Sequence, residues 1–239
     1  DNLLFGNSYL TNLTYPTKIS TNLSLDKIFE FSVAKYKLKY KEDFVCFSPE
    51  RFVKIENQFI FSNPMKGTID ASIENAEHVI LEDKKEKAEH ATIVDLIRND
   101  LSLVAENVEV TNYRYIDEVK TNDKTLLQVS SEIRGKLNDD YIQNLGAIFD
   151  QLLPAGSICG APKKKTVEII LEAEKYNRNF YTGVFGVFDG VNLDSAVMIR
   201  FIENNQGELF FKSGGGITAK SDVKAEYKEL IQKVYVPIY

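Results

Sequence analysis

Short apolar runs closed by turn residues follow one another in this chain with little sequence between them. Phe44 to Phe47, Phe52 to Ile55 and Phe59 to Phe61 come in quick succession, with Glu56-Asn57 as a hairpin turn. Val108–Val110 and Tyr113–Val119 form a second group. Val184–Phe188, Leu193–Ile202 and Glu208–Lys212 form a third, a meander turned by Asp189-Gly190 and Asn204-Asn205-Gln206-Gly207. Strands joined by tight turns pair antiparallel, because a parallel connection needs about a dozen residues or more. The pattern predicts an α+β fold built on antiparallel sheet and excludes strict strand–helix alternation.

Helical periodicity separates these groups. Ser24 can cap a helix with Leu25, Ile28 and Phe29 on one side. Ala88, Thr92, Ile93, Leu96 and Ile97 predict a helix from Asp83 to Arg98 with one buried side, and a further helix is expected over Tyr141–Leu152. Gly156–Pro162 reads as a connection into a helix from Lys163 to Glu174, with Pro162 at its first turn. Gly214-Gly215-Gly216 is placed at the end of the last strand, before a helix capped by Asp222 and running to Val234. Asn63-Pro64 interrupts the strand pattern just before Lys66-Gly67-Thr68, which falls in a loop or short strand.

Composition narrows the chemistry. The 239 residues carry 29 Lys+Arg against 35 Asp+Glu, and a net charge of −6 argues against a nucleic-acid partner. The longest apolar runs, such as Ala196 to Ile199, fall far short of the roughly 20 residues of a membrane helix. No basic-then-apolar signal pattern follows Asp1, and two lone cysteines fit a reducing cytoplasm, the expected location. His78, His90, Cys46 and Cys159 show no zinc-ligand spacing. Enzymatic chemistry in this chain therefore rests on carboxylates, lysine and oxygen-liking metals.

Several constellations could carry it. Glu86 with Glu89, and Glu226 with Glu229, each place two carboxylates on one helical face. If the two faces meet they offer oxygen ligands to Mg²⁺; otherwise they are ordinary solvated faces. The Gly156–Pro162 and Gly214–Gly216 segments precede helix N-termini and could expose amides to an anion, or could be turns alone. Lys66 has the apolar neighbour Met65 and could be a nucleophile or a surface lysine. Glu50, after Ser48-Pro49, could act as a general acid if burial raises its pKa. Arg200, in an apolar strand, either faces inward onto a carboxylate or points to solvent.

Taken in order, the segments resemble the chorismate-utilising enzymes over nearly the whole chain. They are Ser48-Pro49-Glu50-Arg51-Phe52, Pro64-Met65-Lys66-Gly67-Thr68, Glu89 to Asp100, Gly156–Lys163, Arg178 to Gly183, Ile199-Arg200, Gly214-Gly215-Gly216-Ile217 and Ala225-Glu226-Tyr227-Lys228-Glu229. The resemblance implies two antiparallel sheets packed face to face, with helices outside and the active site between. It implies Mg²⁺ with Glu89 and Glu229 as direct ligands and Glu86 and Glu226 in support. Tyr181 and Arg200 match positions that grip the enolpyruvyl side of chorismate, the Gly214, Gly215 and Gly216 amides a carboxylate site, and Thr68 and Lys163 further substrate-binding positions.

Lys66 points to one branch of the family. Anthranilate synthase large subunits carry a small residue there, usually Ala, whereas aminodeoxychorismate synthase large subunits carry Pro-Ile-Lys-Gly-Thr, close to Pro64–Thr68. Isochorismate and salicylate synthases use a water-activating lysine at the position of Leu10, and a leucine cannot activate water. Two positions depart from many relatives, which have Gln at Leu10 and His at Gln128. The resemblance thus implies amination of chorismate to 4-amino-4-deoxychorismate, the p-aminobenzoate precursor of folate biosynthesis, with Lys66 as covalent nucleophile and Glu50 as acid. No Cys-His glutaminase pair is evident, so the expected source of ammonia is a separate glutamine amidotransferase subunit. Anthranilate synthase component I and, from another class, a non-catalytic chorismate-binding or scaffold subunit are the alternatives. Residues 1–239 read as the chorismate-binding catalytic core of a longer protein, since relatives usually carry a further N-terminal region.

Overall fold

The computed structural model describes residues 1–120 and 125–236. In chain order, β1 (Leu10–Ile19) and α1 (Leu25–Phe31) precede β2 (Tyr36–Tyr40), β3 (Phe44–Ser48), β4 (Arg51–Glu56), β5 (Phe59–Ser62) and β6 (Met65–Asp70). Helices α2 (Ala76–Glu82) and α3 (Lys84–Leu101) lead to the long strands β7 (Glu106–Lys120) and β8 (Thr125–Lys136). Next come α4 (Leu145–Leu152), α5 (Gly156–Cys159), β9 (Gly160–Ala161) and α6 (Lys163–Glu174). The chain ends with β10 (Val184–Phe188), β11 (Leu193–Val197), β12 (Phe201–Asn205), β13 (Glu208–Ile217) and α7 (Val223–Gln232). These elements form two antiparallel sheets with helices, the expected α+β class. Among the described residues no helix is long and apolar enough to cross a membrane.

Two compact units result, each assembled from separated stretches of sequence. The first comprises Asp1–Glu50, Pro154–Phe185 and Ala196–Tyr239, and the second Arg51–Leu153 and Gly186–Ser195.

The first unit holds a six-stranded sheet in the order β2-β3-β12-β13-β1-β9. Strand β3 is buried along its whole length because successive side chains serve two clusters on opposite faces. Val45 and Phe47 pack with Leu25 and Ile28 of α1, whereas Phe44 and Cys46 pack with Tyr181, Met198 and Phe201. Helix α1 begins where expected, with the Ser24 side chain accepting the Lys27 N–H. Strand β1 escapes sequence detection because it carries Pro16. The Thr14 N–H donates to Glu174 rather than to β13, so Thr14↔Gly214 is a non-hydrogen-bonded pair, and Pro16↔Lys212, two residues along, is another. The N–H that Pro16 lacks would therefore face outward, where β9 pairs only with Leu10 and Thr11.

In the second unit the sheet path is β10-β11-β4-β5-β8-β6, with β7 on β8. The β4–β5 hairpin turns at Asn57 and Gln58, one residue later than expected, both at positive φ (51° and 67°), the pattern of a type I′ turn. Helix α3 keeps part of its expected inner side, with Ile93 buried and Leu96 and Ile97 half-buried, but Ala88 and Thr92 are exposed, and His90, Val94 and Leu101 are buried instead. Helix α4 starts at Leu145 rather than Tyr141, and the two short strands expected after residue 108 are one long strand, β7.

Three further expectations change. The meander of the last third is broken: the run Leu193–Ile202 is two strands, β11 in the seven-stranded sheet and β12 in the six-stranded one. The break spans residues 198–200 and closes at Arg200, whose φ of 52° cannot continue an extended strand. Gly214–Gly216 lie within β13, paired with β1, instead of ending the strand. Gly156–Pro162 is not an open loop but the turn α5 followed by β9.

Candidate active site

Lys66 owes its direction to a β-bulge. Met65 pairs with Ser130 and Thr68 with Gln128, so Lys66 and Gly67 together oppose Val129 alone. A bulge of this kind re-aims a side chain, and Gly67 takes φ +94°, which a residue with a side chain rarely adopts. Lys66 Nζ lies 3.0 Å from Glu89 Oε2 on α3, and Lys85 Nζ lies 3.7 Å from the other oxygen. A Cβ on residue 67 would come within 3.1 Å of Glu86 Oε2, so glycine lets the carboxylate approach the β6 backbone. Glu86 and Glu89 thus extend the inner stripe of α3 rather than forming a solvated face: both are half-buried. Burial holds Glu86 above the ordinary carboxylate pKa; Lys66 opposes this rise and Glu89 adds to it. Thr68 is exposed just beyond the bulge.

A second group supports Lys66 from behind and escaped sequence reasoning. The fully buried His90 sits next to Glu89 on α3, its Nε2 2.7 Å from Ser131 Oγ of β8. Ser131 Oγ accepts the Arg114 N–H at 2.9 Å, and the Ser131 N–H donates to the Pro64 carbonyl at 3.0 Å. One serine therefore ties together α3, β7 and the start of the Lys66 strand. Burial lowers His90 below the usual imidazole value, against the pull of the Lys66 backbone. Ser131 lies in β8, a strand the sequence pattern did not predict, and no local signal marks a serine as a three-way tie.

In the first unit, Glu50 follows β3 after Pro49. It accepts a hydrogen bond of 2.7 Å from the Ser157 hydroxyl of α5. Burial raises its pKa, the Ser157 hydrogen bond and the Lys233 charge oppose the rise, and burial dominates. A carboxyl pushed upward in this way keeps its proton to higher pH than an exposed one, which suits a proton donor. Lys233, also unforeseen, donates to the Gly214 carbonyl at 2.9 Å and pairs with Glu229 at 2.7 Å.

Of the three glycines, the alternation set by Thr14↔Gly214 turns the Gly214 and Gly216 amides away from β1, while that of Gly215 faces β1. The edge they face is served by β12 only as far as Phe201↔Lys212, because the neighbouring chain breaks at Arg200. Arg200 is half-buried, and its Nη1 is buried with no hydrogen-bond partner among the described residues. An unpartnered buried guanidinium nitrogen is costly and signals a missing acceptor. Tyr181, 4% exposed, packs in the aromatic core against Phe201, and burial raises its pKa. Lys163 opens α6 directly after Pro162. On α7, Glu226 is half-buried and accepts from the Ser221 hydroxyl at 2.7 Å, while Glu229 is exposed and held by Lys233.

The α3 and α7 pairs present only hard carboxylate oxygens, and Glu89 and Glu229 already attract ammonium groups. That donor chemistry fits Mg²⁺, which takes one or two carboxylates and completes its shell with water and substrate oxygens. Among the described residues, no three His, Cys, Asp or Glu side chains gather as a ready-made ligand set.

Comparison with known proteins gives this geometry a context. An uncharacterized PabA-like protein of Pasteurella multocida is 57% identical over 233 residues, which cover 98% of this chain and 72% of that protein. Aminodeoxychorismate synthase component 1 of Bacillus subtilis is 35% identical over 202 residues, 80% of this chain and 41% of that protein. Among solved structures, anthranilate synthase component I from Streptococcus pneumoniae superposes with a TM-score of 0.81 at 26% identity, covering 98% of this chain and 54% of that one. The chain thus spans about half the length of that synthase and less of the Bacillus protein. The chorismate binding enzyme family model matches residues 3–238, and the chain belongs to that family.

Proposed function

We propose that the chain aminates chorismate to 4-amino-4-deoxychorismate, with Lys66 as a covalent nucleophile. The observation that carries this reading is the bulge at Lys66–Gly67, which directs the Lys66 ammonium onto Glu89 of α3. The similarity to aminodeoxychorismate synthase component 1 supports it.

In this reading the neutral Lys66 amine attacks C2 of chorismate, both ring double bonds shift round the ring through C1, C6 and C5, and the C4 hydroxyl leaves as water with a proton from Glu50. Ammonia then adds at C4 and expels Lys66 from C2, regenerating the amine. Splitting one difficult displacement into two is the gain of covalent catalysis. Glu86, Glu89, Glu226 and Glu229 would hold Mg²⁺, which when bound supplies positive charge for the ring carboxylate. Arg200 offers its unpartnered Nη1, and Gly214 and Gly216 their outward amides, to substrate carboxylates. Tyr181, Thr68 and Lys163 complete the proposed substrate contacts. Ammonia would come from a glutamine amidotransferase subunit, or from ammonium salts in vitro.

The direct test incubates the protein with chorismate, Mg²⁺ and ammonium. Formation of a product that aminodeoxychorismate lyase converts to p-aminobenzoate is the expected result. Direct appearance of fluorescent anthranilate would replace this reading by the anthranilate one, and absence of any turnover by the non-catalytic one.

The pH profile offers a second test. Glu50 must be protonated to donate, so amination should fall as pH rises through its raised pKa. The Ser157 hydroxyl stabilises the ionised form, so Ser157→Ala should raise that pKa further and move the basic limb of the kcat profile to higher pH. An unmoved limb would remove Glu50 from the acid role.

A further inference from the structure

We propose that Tyr235 is a positioning residue for Arg200, holding its guanidinium plane so that the unpartnered Nη1 stays available to a substrate carboxylate. The inference rests on the substrate-binding role given to Arg200 above. The Arg200 guanidinium carbon lies 4.6 Å from the centroid of the Tyr235 ring. A guanidinium stacked on an aromatic face is held by the ring electrons while its in-plane N–H groups stay free to donate.

The contact is anchored from both sides. Strand β12 starts beside Arg200, where the left-handed φ of 52° breaks the chain and the Arg200 carbonyl accepts the Phe47 N–H at 3.1 Å. On the other side, Val234 and Val236 pack on the cluster of Leu25, Ile28, Val45, Phe47, Ile202 and Phe211. Phe47 and Ile202 of that cluster are neighbours of Arg200 in the sheet, so the valines flanking Tyr235 pin it to the same corner. Tyr235 itself is 48% exposed, which is poor use of an aromatic ring as core packing. Stacking on a cation is a use that half-exposure permits.

The experiment compares wild type, Tyr235→Phe and Tyr235→Ala in the full chain. The first measurement is rotation of the Arg200 side chain by ¹⁵N NMR, with its signal assigned by loss in Arg200→Lys. Rotation should be slow in wild type and Tyr235→Phe and fast in Tyr235→Ala; equal rotation in all three overturns the inference. The second is calorimetric binding of chorismate with Mg²⁺ and no ammonium. Tyr235→Ala should weaken binding about 10-fold and raise KM with kcat largely kept, while Tyr235→Phe stays within about 2-fold of wild type. In an Arg200→Met background Tyr235→Ala should cost nothing more, and an undiminished loss there would show that the ring acts elsewhere. If wild type binds no chorismate the functional reading falls, and the NMR comparison still decides whether Tyr235 orders Arg200.

Discussion

Lys66→Ala is expected to lower chorismate amination by about 1,000-fold or more, because the route through a covalent adduct is lost entirely. Lys66→Arg is the decisive companion. It keeps a positive charge opposite Glu89, 3.0 Å from the native ammonium, but a guanidinium is not a nucleophile at neutral pH. If Lys66 served only to balance Glu89, the arginine variant would retain activity; in the covalent reading both variants are inactive. Intact-mass measurement supplies the positive evidence. Wild type mixed with chorismate and Mg²⁺ but no ammonium should gain the mass of chorismate less one water, and neither variant should. Mg²⁺ calorimetry separates chemistry from folding: without the ammonium on Glu89, Lys66→Ala should bind the cation more tightly than wild type. Weaker binding in that variant would mean that the bulge itself has collapsed.

The largest effect on stability is expected at Gly160. A Cβ there would sit 1.9 Å from the Leu10 carbonyl oxygen and 2.7 Å from its carbon, at a φ of +116°. Both obstructing atoms are backbone of β1, which cannot rotate aside as a side chain does. Gly160→Ala should therefore separate β9 from β1 and cost about 3–5 kcal/mol, read as a lower urea midpoint. Gly207→Ala is the matched control, with φ +92° and nothing within 4 Å of the added Cβ. It should cost about 1–2 kcal/mol, for the backbone conformation alone. Equal losses in the two variants would refute the close approach of Gly160 to Leu10.

What local rules could decide was legible. Ser24 and Asp222 cap helices as their side chains predict, since an oxygen next to free N–H groups needs no distant partner. Glu86 and Glu89 share a face of α3 because helical spacing alone requires it. The runs around β3, β4 and β5 read as strands because both alternation and turn residues lie within a few positions. Family membership was legible too, from the order of many short motifs, and the family match over residues 3–238 agrees with it.

Other features depended on neighbours remote in sequence. Pro16 sits in a strand because its missing donor faces a side that β9 barely reaches. In the first half of α3, Glu86, Glu89 and His90 rather than Ala88 and Thr92 turn inward, since that stretch meets the bulged β6 and Ser131, while Ile93, Val94 and Leu101 fill the apolar remainder of the face. The apolar run through Arg200 looked like one strand, but a break over residues 198–200, ending at the left-handed Arg200, sends its halves to different sheets. Sequence alone thus determined the residue types, the caps and the carboxylate pairs, which follow from bonding within a few residues. Tertiary structure decided which way Lys66 points, what raises the pKa of Glu50 and which glycine amides face outward, because each depends on a strand or helix distant in the chain.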